Sequence, residues 1–349
     1  MGSNIVKVFK IASVYTGVIL GAGFASGKEI INFFVSYGYM GLFGLLLSGI
    51  IFSLVGWAVM HICVTHNIKS YSDFIDKTMG KYFGRAMEVL VMVFLMVLFC
   101  TMLAAAGSAI QQVFGFHYTV AVVLMGAFCF VILLFDVDGV VKINLLLVPV
   151  LVIGGIFIGL YSFFNEASLN EISQDFLSET KSGSWVKGAL LYASYNIITA
   201  VTVLCGLNQV GVNKSMAKWG SIFGGTAMTF LGFALSLALY ANPSSAESEI
   251  PVLYIVSSYG SSIQILYFVI LMAAIFTTAV GNGFALVNYF SDKTRVKGIF
   301  VKLAIVFVGI IFAHIGFSNF VGKVYPVFGY IGFFEIIFII LFALAYRHK

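Results

Sequence analysis

Charged residues are scarce in this sequence: Lys and Arg number 19 and Asp and Glu 14, together 9% of 349 residues. Soluble globular proteins carry roughly 25% charged residues, because their surfaces face water. The shortage excludes a soluble enzyme, a nucleic-acid-binding protein and a disordered chain. We therefore interpret the net charge of +5 as a consequence of membrane topology and not as the mark of a nucleic-acid partner.

Cysteine is also sparse, and the motifs of common active sites are missing. The four cysteines lie inside apolar runs and lack the spacing of zinc or redox sites, so we expect small buried side chains. The sequence contains no nucleophile–base–acid set, no phosphate loop and no haem motif. It therefore predicts neither an enzyme nor a bound cofactor.

Long apolar runs dominate what is present. Apolar residues make up 61% of the chain, glycine adds 36 residues, and the mean hydropathy is +1.05. Runs of about 20 apolar residues are typical of membrane-spanning helices. The sequence predicts an all-α integral membrane protein, a single domain over 1–349, with ten spans at 8–36, 41–65, 84–114, 118–135, 141–164, 185–208, 218–240, 263–290, 298–317 and 320–346.

The distribution of basic residues predicts the orientation. With the N-terminus in the cytoplasm, Lys181, Lys187 and Lys323 lie outside, and Lys28 lies within span 1. Because cytoplasmic loops are enriched in Lys and Arg, this arrangement predicts that both termini are cytoplasmic. The remaining 15 of the 19 basic residues then lie on the cytoplasmic side: Lys7, Lys10, Lys69, Lys77, Lys81, Arg85, Lys142, Lys214, Lys218, Lys293, Arg295, Lys297, Lys302, Arg347 and Lys349.

The ten spans divide into two halves of similar length, about 8–164 and 185–346, joined by an acidic external linker at 165–184. Each half has one long loop between its second and third spans, where short helices are predicted at Tyr71–Tyr82 and Pro251–Ser258. Five is an odd number, so the second half runs inverted relative to the first. This is the pattern of an inverted-repeat transporter.

Span 1 contains a glycine-rich segment near its middle. Gly21 lies 11 residues after Lys10, about 16 Å along a helix. A break there would expose backbone carbonyls that suit a cation and amides that suit a carboxylate, which lipid cannot satisfy. Close helix packing through small residues is the alternative explanation of the glycines. The segment consists of Gly21, Ala22, Gly23, Phe24, Ala25, Ser26, Gly27, Lys28 and Glu29.

Spans 6 and 8 carry polar patches at matching depths. Ser194, Tyr195 and Asn196 lie in span 6, the inverted counterpart of span 1, and are predicted to form a second break or to contact substrate. Ordinary interhelical hydrogen bonding is the alternative. Thr277 and Thr278 in span 8 offer two oxygens to a small hard cation such as Na⁺, unless they only bond back to their own helix.

Three charged residues are predicted to be buried in the membrane. Intramembrane charges face protein or water and usually mark functional sites. Lys28, Glu29 and Glu335 are therefore candidate coupling or gating residues. Glu29 or Glu335 could carry a proton, or either could be held in a structural ion pair, for example Glu29 with Lys28 or Lys323.

The segment Gly21–Glu29 closely resembles the start of YkvI-like bacterial membrane proteins. It is also similar to the Gly-Ala-Gly opening of branched-chain amino acid:sodium symporters. With ten spans and paired hydroxyls in span 8, the chain resembles the LeuT-type fold of the amino acid–polyamine–organocation superfamily. The resemblance implies a 5+5 inverted repeat with discontinuous spans 1 and 6, in the cytoplasmic membrane of a bacterium.

The resemblance also implies a mechanism and a set of site residues. Substrate would bind through backbone groups of residues 21–27 and beside Ser194, Tyr195 and Asn196. Sodium would bind at Thr277 and Thr278 with the carbonyls of Gly21 and Phe24. The function predicted is Na⁺-coupled symport of a small zwitterion, a neutral amino acid, by alternating access. Proton coupling through Glu29 or Glu335 and a nutrient-sensing receptor without flux remain open alternatives.

Overall fold

The computed structural model describes residues 2–135, 138–166, 183–208, 212–293 and 296–345, and within these ranges it contains helices and no strand. The predicted all-α fold is thus confirmed. The helices of the first half are α1 Gly2–Ile19, α2 Ala22–Ala25, α3 Lys28–Phe33, α4 Met40–His66, α5 Tyr71–Met79, α6 Lys81–Phe114, α7 Tyr118–Leu133 and α8 Asp138–Glu166. The helices of the second half are α9 Trp185–Leu207, α10 Lys214–Ala241, α11 Pro251–Ser257, α12 Ser261–Lys293, α13 Gly298–Ala313 and α14 Tyr325–Ala345.

Each predicted span coincides with helix in the structure, and we keep the span numbers for these helices. Span 1 consists of α1, α2 and α3, and spans 2 to 5 are α4, α6, α7 and α8. Spans 6 to 10 are α9, α10, α12, α13 and α14, the last preceded by helical turns at Phe317–Val324. The short helices α5 and α11 connect spans 2 to 3 and 7 to 8, as predicted.

By length and composition, seven helices in the described part of the chain can cross a membrane: spans 2, 3, 5, 6, 7, 8 and 10. The helices of spans 4 and 9 are apolar but only 16 residues long, and span 1 is divided into pieces. The ten-span count therefore stays a prediction. Residues 167–182 of the predicted linker, and the side chains of Asp138 and Lys142, lie outside the described residues, as does Asp136.

The helices pack in two groups. Spans 1, 2, 6 and 7 pack on one another, and spans 3, 4, 8 and 9 form a second set. Span 5 packs on span 7, and span 10 packs on span 6. Each group contains equivalent spans of both predicted halves, although the inverted repeat itself remains a prediction.

Span 1 is discontinuous, as its glycines predicted. The helix α1 ends at Ile19, the turn α2 begins after Gly21, and Gly27 has a φ of +85°, a left-handed conformation that glycine adopts without steric cost. The segment therefore bends twice, before and after α2. The half-helix after the second bend, α3, has only six residues.

The break predicted in span 6 is wrong. Trp185–Leu207 is one continuous helix. The segment lacks glycine and proline near Ser194, and its polar side chains bond back to their own helix. Ser194 Oγ donates to the Leu190 carbonyl at 2.6 Å, and Asn196 Nδ2 donates to the Tyr192 carbonyl at 3.0 Å. Nothing in span 6 therefore interrupts its backbone hydrogen bonds.

The four cysteines are buried free thiols, as predicted. Cys63 of span 2 and Cys205 of span 6 lie with their sulfurs 3.4 Å apart.

Candidate functional site

A cavity of about 460 Å³ lies between the two helix groups. Its walls come from spans 1, 3, 5, 6, 8 and 10, and it reaches Tyr71 and Ser72 at the start of α5 and Glu88 near the start of span 3. These residues lie on the side predicted to be cytoplasmic. At its deep end the cavity reaches the break in span 1, where Gly21, Gly23 and Glu29 line it.

The break supplies backbone groups that no helix satisfies. In the described part of the chain, no backbone amide donates to the carbonyls of residues 17–20, and the amides of Gly21, Ala22 and Gly23 have no backbone acceptor. Gly17, Val18 and Ile19 also line the cavity. Because unpaired backbone groups in a membrane interior require a partner, free carbonyls and free amides at one point of a cavity suit a ligand that carries both charges.

Glu29 projects from α3 back toward the first bend. Its side chain is only 4% exposed, and a Cβ at Gly23 would overlap its Oε1, so only glycine leaves room for the carboxylate. Glu29 Oε2 has no hydrogen-bond partner among the described residues. The neighbouring electrostatic groups are the buried tyrosines of spans 6 and 10: Tyr192, Tyr195 and Tyr325.

Lys28 turns away from the cavity. Its Nζ donates to the carbonyls of Ala246 at 3.1 Å and Ser248 at 2.7 Å, in the loop between spans 7 and 8. The described residues show no ion pair between Lys28 and Glu29 or between Lys323 and Glu29, so the ion pair considered from the sequence is not formed.

The loop between spans 7 and 8, residues 242–258, seals the end of the molecule opposite the cavity mouth, and we call it the strap. The Val252 amide donates to the Ser26 carbonyl at 3.0 Å, and Gly27 packs against Pro251 and Val252. Ser248 Oγ donates to Gln112 Oε1 of span 3 at 3.0 Å. Ser26, Gly27 and Lys28 therefore hold the closed end of the molecule and do not line the cavity.

Span 8 brings both of its predicted threonines to the cavity wall. Thr277 Oγ1 donates to the Ala273 carbonyl at 2.9 Å, so its lone pairs remain free to accept. The hydroxyl of Tyr267, in the same helix, donates to the Ala25 carbonyl at 2.5 Å. Span 8 is thereby anchored directly against the broken segment of span 1.

Glu335 of span 10 lies away from the cavity wall, although it is fully buried. Its Oε1 accepts a hydrogen bond from the hydroxyl of Tyr71 at 3.3 Å. Burial and the nearby Glu335 carboxylate raise the pKa of the Tyr71 hydroxyl well above its usual range, so this phenol remains a donor. The contact joins α5 to span 10 at the cavity mouth.

The predicted site residues thus divide into two sets. Gly21, Gly23, Glu29, Tyr195, Asn196, Thr277 and Thr278 line the cavity, whereas Ala22, Phe24, Ala25, Ser26, Gly27, Lys28, Ser194 and Glu335 do not. Sequence reasoning missed Phe94 and Tyr325 on the wall. No spacing signal singles them out, because aromatic residues are frequent in every span.

No family model matches the chain. The membrane protein YkvI of Bacillus subtilis (strain 168) is 29% identical over 322 residues, covering 92% of each protein. The chain is a homologue of YkvI. The resemblance to YkvI-like proteins predicted from the segment Gly21–Glu29 is confirmed, and with it the assignment as a membrane protein.

Solved structures show the fold of this chain. A mutant manganese transporter of Eremococcus coleocola superposes with a TM-score of 0.68 at 14% identity, covering 95% of this chain and 78% of that protein. A Na⁺-coupled sialic acid symporter in a substrate-bound outward-open state gives 0.64 at 14% identity, covering 93% and 77%. The fold is therefore of the LeuT type.

Proposed function

We propose that the protein is a secondary active transporter that moves a small zwitterion, a neutral amino acid, together with Na⁺ by alternating access. The observation that carries the proposal is the break in span 1. It presents free carbonyls and free amides on the wall of a membrane-buried cavity that Thr277 and Thr278 also line.

The two ends of a zwitterion match the two kinds of backbone group. Amides at the start of a helical segment favour a carboxylate, and carbonyls at the end of one favour a cation. The amides of Gly21 and Gly23, which line the cavity, would hold the substrate carboxylate. Because such contacts use the backbone alone, they distinguish amino acids from other solutes without fixing the side chain.

Sodium coupling is supported by the hydroxyl oxygens of span 8. Hard cations prefer oxygen ligands, and two threonines beside a broken helix offer both hydroxyl and carbonyl oxygens. We propose that Na⁺ binds at Thr277 and Thr278, with carbonyls at the break in span 1 completing its shell. Of the two carbonyls predicted from the sequence, Gly21 lies on the cavity wall and Phe24 does not. One solved neighbour is itself described as a Na⁺-coupled symporter.

The closed strap and the open mouth at α5 correspond to one state of an alternating-access cycle. We place the protein in the bacterial cytoplasmic membrane with both termini in the cytoplasm, so the state described here faces inward. Transport then requires that the strap release span 1 while the cavity mouth closes.

The first experiment is thermal unfolding of the purified protein with each of the twenty amino acids and betaine, in Na⁺ or choline. A ligand at about 100 times its Kd stabilises by roughly 2.7 kcal/mol. We expect one class of amino acid to stabilise the protein, and only with Na⁺. Stabilisation that is the same in choline overturns sodium coupling, and no response to any solute overturns the amino acid proposal.

Threonine variants locate the sodium site. We expect Thr278→Ala to abolish Na⁺-dependent stabilisation. Thr226→Ala is the matched control, because Thr226 is exposed in span 7 and bonds only to the Ile222 carbonyl of its own helix. Saturable binding without uptake into liposomes would favour a receptor over a transporter.

Proton coupling is a second candidate, because Glu29 is buried on the cavity wall with an unpaired oxygen. It predicts uptake driven by a pH gradient in Na⁺-free liposomes. Glu29→Gln would abolish that uptake. Uptake that requires Na⁺ and ignores the pH gradient would eliminate this candidate.

A further inference from the structure

Glu29 is a buried carboxylate without a compensating charge. An ion pair joins Lys293 and Glu88 at the exposed rim of the cavity, and the described residues show none at Glu29. Lys28, next to Glu29 in sequence, is engaged with the strap carbonyls. A buried charge without a partner is costly, so a carboxyl group in this position is either protonated or paired with a cation from outside the chain.

The wall of the cavity favours such a cation. Among the described residues that line it, none is Lys, Arg or His, and the ionisable acids are Glu29 and Glu88. Since Glu88 is paired with Lys293, the acidic group without a basic partner in the described part of the chain is Glu29, at the deep end beside the break in span 1. A cation that enters the cavity therefore meets no competing basic side chain among these described residues and can pair with the ionised form of Glu29.

Two tyrosines beside Glu29 supply further acceptors. Tyr195 and Tyr325 line the cavity, and neither buried hydroxyl has a partner at hydrogen-bond distance among the described residues, although Tyr195 lies beside Glu29 and Tyr325 beside Thr101. Their rings pack with centroids 5.0 Å apart, and Phe94 packs on both, at 6.1 and 6.0 Å. Because the rings touch one another, they leave no space between them for a trimethylammonium group.

We propose that Glu29, with the hydroxyls of Tyr195 and Tyr325, binds the primary ammonium group of a solute. Such a group carries one positive charge and three N–H donors, which match one carboxylate and two hydroxyl acceptors. A quaternary ammonium carries the charge but no N–H donor. The pocket therefore selects primary amines over their methylated counterparts. Only the statement that this solute is the transported one rests on the proposed function.

The test uses methylammonium chloride and tetramethylammonium chloride as probes. The thermal unfolding midpoint of the purified full-length protein is measured against each salt at equal ionic strength. We expect methylammonium to raise the midpoint in a saturable manner, and tetramethylammonium to leave it unchanged. Equal effects of the two salts, or no saturable effect of methylammonium, would overturn the proposal and would also be the result if Glu29 only carries a proton.

Variants locate the site. We expect Glu29→Gln to raise the apparent Kd for methylammonium at least tenfold. Glu335→Gln is the matched control, because Glu335 is equally buried but lies off the cavity wall, and it should respond like the unmodified protein. Tyr325→Phe removes only a hydroxyl, so it provides the test if Glu29→Gln does not fold. Retained affinity in both Glu29→Gln and Tyr325→Phe contradicts the proposal.

The outcomes separate this proposal from the proposed function. A methylammonium response that needs Glu29, together with no Na⁺-dependent response to any amino acid, supports the ammonium site and overturns amino acid symport. Na⁺-dependent amino acid stabilisation that survives Glu29→Gln supports amino acid symport and overturns the ammonium site.

Discussion

Spans 1 and 6 occupy equivalent places in the two predicted halves, and they differ in how glycine is used. In span 1 the glycines lie within the segment, and the helix stops at Ile19 and bends again at Gly27. Span 6 has no glycine near its centre and is continuous, but its neighbour span 10 presents Gly329 and Gly332 against it. The glycines of span 1 interrupt its helix, whereas the glycines of span 10 allow that helix to pack closely on span 6.

Because of this difference, spans 1 and 6 contribute different kinds of group to the cavity. Span 1 contributes backbone groups, because its helix is open at Gly21. Span 6 contributes side chains, Tyr195 and Asn196, from a rigid helix. A site of this kind has a fixed aromatic wall on one side and an adaptable, hydrogen-bonding chain segment on the other.

Hydrogen exchange should show the largest contrast between the two spans. The free energy of local opening ranges from near zero up to the free energy of global unfolding. Amides without a hydrogen bond therefore exchange far faster than amides within a helix. We expect the amides of Ala22 and Gly23 to exchange more than about 100-fold faster than those of Tyr195–Ile198, a difference of about 3 kcal/mol. Mass spectrometry of peptides covering 17–25 and 192–200 measures it. Similar rates would contradict the break.

Gly332→Ala tests the support of span 6. A Cβ there would overlap the backbone oxygen of Ser194, which has little freedom to move. Overpacking typically costs 1–3 kcal/mol, and we expect a loss of about 2–3 kcal/mol in thermal unfolding. Gly154→Ala is the control, because nothing lies within 4 Å of its added Cβ. Gly154→Ala should raise the stability by about 0.5–1 kcal/mol, because alanine has the higher helix propensity. A change in stability of the same sign in both variants would refute the argument.

Gly27→Ala tests the second bend of span 1. The residue has a φ of +85°, and an added Cβ would lie 2.9 Å from Val252 Cγ2 of the strap. A left-handed conformation costs an L-residue about 1–2 kcal/mol, so we expect destabilisation of that order. Gly80→Ala, with a φ of +77° and open space around it, measures the conformational part alone. A smaller loss at Gly27 than at Gly80 would show that the strap contact does not matter.

Gly21→Ala should have the smallest effect. The residue has a φ of −46° and a ψ of 169°, which other residues adopt, and nothing lies within 4 Å of an added Cβ. We expect a change in stability within about 0.5 kcal/mol and an unchanged response to ligand, because the amide remains in place. Slower hydrogen exchange at Ala22 and Gly23 in this variant would instead mean that Gly21 alone holds the helix open.

Much of the fold could be predicted from the sequence. Apolar runs located the helices to within a few residues except in span 1, and the connecting helices α5 and α11 lie where the long loops were expected. The glycines of residues 21–27 predicted the break in span 1, since three glycines within seven residues weaken a helix by about 1 kcal/mol each. These features depend on local composition, which a single sequence contains.

The break expected in span 6 shows where such reasoning fails. It was inferred by symmetry from span 1, but Ser194 and Asn196 bond to their own helix and leave the backbone intact. The pairing of Lys28 with Glu29 was suggested by their adjacency in sequence. In the structure Lys28 reaches the strap more than 200 residues later, while Glu29 points into the cavity.

The sequence by itself determined that this chain is an apolar helical membrane protein with a weak point in its first span, because hydrophobicity and helix propensity act locally. Only the tertiary structure decided which of the polar groups meet. Glu29, Tyr195 and Tyr325 come from three distant spans, and their contact depends on how the two helix groups pack. The strap contacts that close one end, and the cavity that opens at the other, likewise arise from packing between segments that no sequence spacing relates.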